Sequence, residues 1–283
     1  MSDPFVAERD RLWGLAYRML ASRADADDAV QDAWLRWQGA DRDTIVNPAA
    51  WLTTVTSRLA LDRLRRRQRE RENYVGPWLP EPVLTEHATD PSELAESLTV
   101  GFLTLLERLE PTERVVLLLA DVFGEPFRAI SDVTGKSEAA CRQIASRART
   151  RVRDDHRHSR RPVNAEERTR LVDAFTRATL LGDLDGLAAL LAPDVTLVSD
   201  GGADQHAARR PIVGVERVSR FLVGVAGRVG GGTTTEPVWV NGEPGLVLRF
   251  GPAVVATVAF EVDAGRIERI YIVVNPSKLA GLR

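Results

Sequence analysis

Cysteine is nearly missing from this 283-residue chain: Cys141 stands alone, which excludes an intrachain disulfide and fits a reducing cytoplasm. Long apolar runs are missing too. None approaches the roughly 20 residues that span a bilayer. The opening MSDPFVAERDRL lacks a basic segment followed by an apolar core, so it does not read as a secretion signal. From residue 165 onward there is one histidine, His206, and no cysteine, so a zinc site there would need carboxylates. What remains, 44% hydrophobic and 28% charged residues, is the balance of a folded chain with room for two or three domains.

Excess charge of one sign is absent overall, the formal net charge being -2, but not locally. Residues 57–71 carry seven arginines against Asp62 and Glu70, and residues 142–161 carry eight against Asp154 and Asp155. Averaging hides two patches, each able to meet a polyanion, with a pair of solvated helix ends as the alternative on charge alone.

Apolar spacing divides the chain. Leu12, Leu15, Ala16, Met19 and Leu20, then Val30, Ala33, Trp34 and Trp37, recur at helical steps. A third helix is expected from Pro48 through Leu52, Val55 and Leu59 into the first arginine patch. Residues 1–72 thus read as a small helical bundle. Residues 73–92 form a proline-rich linker that holds Trp78 and Leu79 between prolines, an apolar anchor unlike an indifferent spacer. Helical spacing returns over 93–153, and 154–164 is a second linker with a weak metal-binding signal, HRH at 156–158. Over 165–283 two helices precede a strand at 195–199. A helix at 214–229 and strands at 236–241, 245–250, 253–262 and 266–274 follow, with turn signals at Asn241-Gly242 and Asp263-Ala264-Gly265. In the 253–262 strand, Val254, Ala256, Val258, Phe260 and Val262 are expected on one face. That makes an α+β domain.

Helix 127–134, a turn at Gly135-Lys136 and a helix from the N-cap Ser137 to residue 152 form a candidate helix-turn-helix. A buried line at Ala140, Ile144, Ala148 and Val152 would leave Arg142, Ser146, Arg149 and Arg153 on the other side, with Glu138, Ala139 and Gln143 leading into a major groove. In the earlier patch Arg58, Arg65 and Arg69 share a face, widened by Arg63, Arg66 and Arg67, one to two turns beyond Trp51. An aromatic beside basic side chains suits locally melted DNA, and core packing is the alternative for Trp51. Asp25, Asp27, Asp28 and Asp32 surround Val30, Gln31, Trp34 and Trp37, an acidic and aromatic surface fit for a protein partner with one tryptophan expected in the core.

ADADDAVQDAWLRW at 24–37 resembles the segment by which sigma factors clamp the coiled coil of the RNA polymerase β′ subunit. PAAWLTTVTSRLALDRLRRRQRE at 48–70 resembles the segment that recognises and melts the minus-ten promoter element, and residues 105–153 resemble the domain that reads the minus-thirty-five element. With only these two sigma domains, the chain resembles the extracytoplasmic-function (ECF) group. The short helix departs from the usual pattern, having Phe127-Arg128-Ala129-Ile130-Ser131 where a glutamate is common. The C-terminal part is similar to the SnoaL-like, NTF2-like fold. Trp78-Leu79-Pro80, Asp200-Gly201-Gly202 and Asn275-Pro276-Ser277-Lys278-Leu279 resemble motifs of the ECF subgroup with such a fused regulatory domain, although the usual lysine after the glycines is lost at Ala203-Asp204.

The resemblance implies two all-α domains followed by an α+β, cone-shaped NTF2-like domain. It implies contacts to core polymerase (the β′ coiled coil and β flap) through Asp28, Gln31, Asp32, Trp34, Leu35 and Trp37, and to both promoter elements. Trp78, Leu79, Pro80, Asp200, Gly201, Gly202, Asn275, Pro276 and Lys278 would form the regulatory contact. A small molecule in the C-terminal cavity is a further expected partner, and no membrane is. The alternatives are a stand-alone DNA-binding regulator with a ligand-sensing domain, and a cone-fold enzyme. For the enzyme, Asp200, Asp204, His206, Glu236 and Tyr271 are candidates, but Asp200 reads as a turn residue and His206 lacks an orienting carboxylate. No catalytic residue, metal or cofactor is expected.

Overall fold

The computed structural model describes residues 3–71, 74–85, 98–155, 165–203, 205–228 and 232–282. Its contacts divide the chain into two compact units. The first holds residues 1–73, 92–98 and 102–157; the second holds 74–91, 99–101 and 158–283.

Unit 1 is all helical. Helices α1 (Pro4–Leu20), α2 (Arg23–Gln38) and α3 (Pro48–Arg71) pack mutually around Phe5, Leu12, Val30, Trp37 and Leu52. Their ends are fixed by local caps. Asp3 accepts from the Phe5 amide, Ser22 from that of Asp25, and Asn47 from that of Ala50, so each helix starts with an otherwise orphaned N–H satisfied. Helices α4 (Val100–Leu106, whose first two residues belong to unit 2), α5 (Pro111–Leu117), α6 (Phe127–Thr134) and α7 (Glu138–Asp155) follow. The expected helix through Val115–Leu119 passes at Leu118–Val122 into a π-turn. Gly135, at φ 69°, makes the left-handed turn between α6 and α7.

Two corrections concern buried faces. The buried seam of α7 runs through Cys141, Ile144, Ala145 and Ala148, while Ala140 and Val152 are only half-buried, so the helix is rotated from the expected line. The cause is spacing: i, i+3, i+4, i+7 makes a flatter stripe than successive i+4 steps. Trp37 is buried in the bundle, its indole N–H donating to Asp3, so its side chain leaves the proposed polymerase-contacting set.

Helices α5 and α6 pack on α3, joining bundle and helix-turn-helix within unit 1. Two buried arginines lie there. Arg114, only 2% exposed, donates to the Arg18 carbonyl at 3.1 Å and pairs with Glu107. Arg18 donates to the Gly14 carbonyl. Burial lowers the Arg114 guanidinium to about 9 and that of Arg18 to about 10.

Unit 2 contains β1 (Leu84–Thr85), α8 (Ala165–Leu181), α9 (Leu184–Leu190), β2 (Leu191–Asp200), β3 (Ile212–Val213), α10 (Val215–Ala226), β4 (Thr233–Val240), β5 (Glu243–Phe250), β6 (Ala253–Asp263), β7 (Arg266–Val273) and α11 (Pro276–Leu279). The sheet order is β1-β4-β5-β6-β7-β2-β3, antiparallel except for the β2–β7 pair. Asn241 and Gly242, both at positive φ, turn β4 into β5, and Ala264-Gly265 does the same between β6 and β7. Helices cover one face through Val172, Phe175, Val218, Phe260 and Ile270. On the other face Leu79, Val100, Val240, Ala259, Tyr271, Val273 and Leu279 form a second core. The linker residues Leu84 and Thr85 extend the sheet as β1. Strand β6 is therefore buried on both faces over 256–262, not on one. Register shifts along it also put Val254 with the linker-side core, away from Val258 and Phe260.

Arg114→Ala should lower unfolding free energy by about 3–5 kcal/mol, because the change breaks a pair whose guanidinium is only 2% exposed and removes its bond to the Arg18 carbonyl. Urea unfolding followed by tryptophan fluorescence checks this; an unchanged midpoint contradicts it.

Candidate nucleic-acid interface and linker cradle

In α3, Arg58, Arg65 and Arg66 are exposed and Arg63 and Arg67 half-buried, while the side chain of Arg69 lies outside the described residues. The exposed charges are partly occupied. Arg58 donates twice to the Asp132 carbonyl near the end of α6, at 2.6 and 3.1 Å. Arg63 pairs with Asp32 of α2 at 2.6 Å, and Arg67 with Asp25 at 2.5 Å. Arg65 lies 3.6 Å from Asp62. Trp51 is half-buried against Trp37, ring centroids 5.6 Å apart, and packs on both small cores of the bundle.

In α7, Ser137 caps the helix through the Ala140 amide. Ala139, Arg142, Gln143 and Ser146 are exposed along one strip and Glu138 is half-buried. Arg147, which sequence reasoning missed, lies on the same strip; placing the buried line correctly would have found it. Arg142 pairs with Glu138 at 2.8 Å and lies over the Phe127 ring. Arg149 turns away to grip Asp121 with two bonds of 2.6 and 2.8 Å, which raises its pKa. The side chain of Arg153, like HRH at 156–158 and Asp204, is outside the described residues. On α2, Asp28, Gln31, Trp34 and Leu35 are exposed; Trp34 and Leu35 are large apolar side chains open to solvent, with Asp32 half-buried behind them.

The other arrangement lies in unit 2, where three separated motifs converge. Asp200 ends β2 with no exposed surface, and it serves both the turn, through the Gly202 amide, and contacts to distant residues. Its Oδ1 accepts from the Tyr74 hydroxyl at 2.6 Å and the Gly202 amide at 3.1 Å. Its Oδ2 accepts from the Leu79 amide at 2.8 Å and Lys278 Nζ at 2.7 Å. Four donors thus satisfy one buried carboxylate. Lys278 also donates to the Leu79 carbonyl at 2.5 Å and lies 3.8 Å from the centre of the Trp78 ring. Asn275 caps α11, Pro276 starts it, and Asn275 Nδ2 donates to the Tyr74 hydroxyl at 2.8 Å. Leu79 and Pro80 are buried. A Cβ at Gly201 would meet the Gln205 carbonyl oxygen at 2.7 Å, and one at Gly202 the Asn275 amide at 2.7 Å, so glycine is required at both.

Tyr74 and a second buried group escaped sequence reasoning. Glu261 accepts from Tyr271 at 2.9 Å and Arg269 at 3.1 Å, and a Cβ at Gly101 would fall 1.5 Å from its Oε1. Burial beside that carboxylate raises the Tyr271 hydroxyl well above its ordinary value. Tyr271, an enzyme candidate by sequence, is here a structural donor. No signal in the local sequence links Gly101 to Glu261.

Lys278→Met should speed hydrogen exchange at the Leu79 amide by about two to three orders of magnitude, the scale of a buried charge left unpaired. Exchange measured by NMR or mass spectrometry checks it, and wild-type protection would contradict the cradle's energetics.

A Sigma-70 region 2 family model matches residues 5–70 and a Sigma-70 region 4 model matches 100–152. The chain is 40% identical over 291 residues to the ECF RNA polymerase sigma factor SigJ of Mycobacterium tuberculosis, covering 98% of this chain and 92% of the relative. It is 32% identical over 290 residues to the probable ECF sigma factor SigI of the same species, covering 100% and 96%. The crystal structure of SigJ superimposes with a TM-score of 0.77 at 38% identity, covering 98% of this chain and 97% of that one.

Proposed function

The chain belongs to the ECF RNA polymerase sigma factors, and on that premise we propose that its C-terminal unit controls promoter use by holding the linker between the two sigma regions. As a member of that family it binds core RNA polymerase and directs promoter recognition. The finer assignments are our reading. The working modules are 1–72, the linker 73–92, 93–153, the linker 154–164, and a cone-shaped, NTF2-like regulatory domain at 165–283. Asp28, Gln31, Trp34 and Leu35 form an exposed polar and apolar face on α2 suited to the β′ coiled coil, and the β flap is the partner of the second region. The site of action is then the cytoplasm, where polymerase works.

Toward DNA, the exposed strip Ala139, Arg142, Gln143, Ser146 and Arg147 enters the major groove of the minus-thirty-five element. Arg58, Arg65 and Arg66 meet phosphate at the minus-ten element. Arg58, Arg63 and Arg149 already hold carbonyl or carboxylate oxygens, so phosphate would replace oxygens of the protein itself. Two moderate contacts carried on one polymerase reinforce each other through effective concentration.

The observation that carries regulatory control is the buried Asp200 carboxylate, which takes two of its four hydrogen bonds from the linker. A linker tied by a buried charge has a defined released state, in which that charge must be hydrated instead. A small-molecule ligand of the C-terminal unit belongs to the same reading.

Transcription reconstituted with core polymerase tests the control. Asp200→Asn and Lys278→Met should each change promoter output severalfold, and output equal to wild type from both contradicts it. In the same holoenzyme, Arg142→Ala with Arg147→Ala should reduce the slope of log affinity against log salt by about 2 if both contact phosphate. Promoter DNA recovered with the polymerase complex supplies the substrate, and an unaltered slope removes those two contacts.

A further inference from the structure

Unit 2 encloses a cavity of about 360 Å³, at the small end of the range for ligand pockets. Phe175 and Thr179 of α8, Phe221 of α10, and Leu246, Val258 and Ile272 of the sheet are among the residues of its wall. Among the described residues, no Asp, Glu, Lys or Arg lines it. Of those lining residues only the exposed His206 is titratable, so a charged ligand would lose its hydration against a wall that is otherwise uncharged. Leu180, Val225 and Val255, exposed by 66%, 39% and 38%, also belong to the lining and give the cavity an apolar mouth.

One polar atom in the wall is unsatisfied. The Thr179 hydroxyl is buried and has no hydrogen-bond partner, whereas neighbouring Thr176 donates to the Val172 carbonyl at 2.8 Å. A buried hydroxyl left unmatched is costly, and it can serve as donor or acceptor to a guest.

The cavity also shares its wall with the linker cradle. Strands place successive side chains on opposite faces. On β6, Val258 lines the cavity while Ala259 joins the core that holds Leu79. On β7, Ile272 lines the cavity while Tyr271 and Val273 join that linker-side core. Gln205 and His206, beside Gly201-Gly202, line the cavity and also a second hollow of about 120 Å³ walled by linker residues Val75, Gly76 and Pro77.

We infer that this cavity is the receptor site for a small, uncharged, largely apolar molecule bearing one hydrogen-bonding group, which engages the Thr179 hydroxyl. Its occupancy acts through β6, β7 and the 205–206 loop on the linker bound at Asp200. The second statement rests on the reading that the C-terminal unit works through that linker.

A matched pair of fluorescent probes tests the site on the full chain. N-phenyl-1-naphthylamine is neutral with a single N–H, and 8-anilino-1-naphthalenesulfonate adds a sulfonate to the same skeleton. The neutral probe should bind saturably at one site per chain, and the sulfonate at least about tenfold more weakly. Thr179→Val keeps the shape but removes the hydroxyl, and should weaken the neutral probe about 3- to 10-fold, the loss of one hydrogen bond. Ala256→Leu, which narrows the cavity, should weaken it further, with circular dichroism confirming that both variants are folded. Non-saturable binding, equal binding of the sulfonate, or wild-type affinity in both variants overturns the site. For the coupling, saturating neutral probe should alter hydrogen exchange of residues 74–85 at least about threefold; unchanged exchange with binding intact overturns it. Promoter output of Asp200→Asn reads linker control without any probe, so failure of the ligand and failure of that control are separable.

Discussion

A carboxylate cannot be taken out of water unless donors replace the water, and Asp200 organises the C-terminal unit on that rule. Gly202 and Lys278 supply two donors from the segment after residue 165, while Tyr74 and the Leu79 amide supply two from the linker. The folded linker is thus part of the solvation of a buried charge. Such a pair adds little net stability compared with an apolar replacement, but it makes the half-formed arrangement costly. That favours two discrete linker positions over a continuum, the property a regulatory element needs.

The same constraint runs through unit 1 in a weaker form. Seven arginines in fifteen residues repel one another unless oxygens stand between them. Asp25, Asp32 and the Asp132 carbonyl provide those oxygens, which keeps so dense a positive patch compatible with a folded protein. Arg114 is the extreme case, its charge held by the Arg18 carbonyl and Glu107 with almost no access to water. Tyr271 and Glu261 repeat the pattern in unit 2, where Gly101 lets the chain approach the carboxylate because it has no side chain.

Much of this was legible where chemistry is local. The N-cap Ser137, the left-handed Gly135, the Asn241-Gly242 turn and the helical spacing of α1 to α3 act within a few residues, so their signals survive without tertiary knowledge. Trp78-Leu79 between prolines signalled an anchored linker. What failed depended on distant partners. The resemblance grouped Asp200 with Leu79 and Lys278, but its complete burial, and Tyr74 as a further donor, follow only from residues far away in the chain. Strand β6 has a second buried face because the linker covers it. Trp37 and Trp34 are alike in sequence context, yet one fills the bundle and the other faces solvent. Tyr74, Gly101 and Glu261 carry no motif; their roles arise only from the fold.

The most direct measurement of the central claim is a double-mutant cycle between the linker and the buried charge, Tyr74→Phe against Asp200→Asn. The readout is the opening free energy of the Val83 amide, which donates to Asn241 further along the linker. If the linker completes the solvation of Asp200, the two changes are non-additive, with a coupling of about 0.5–3 kcal/mol. Strict additivity would contradict the account.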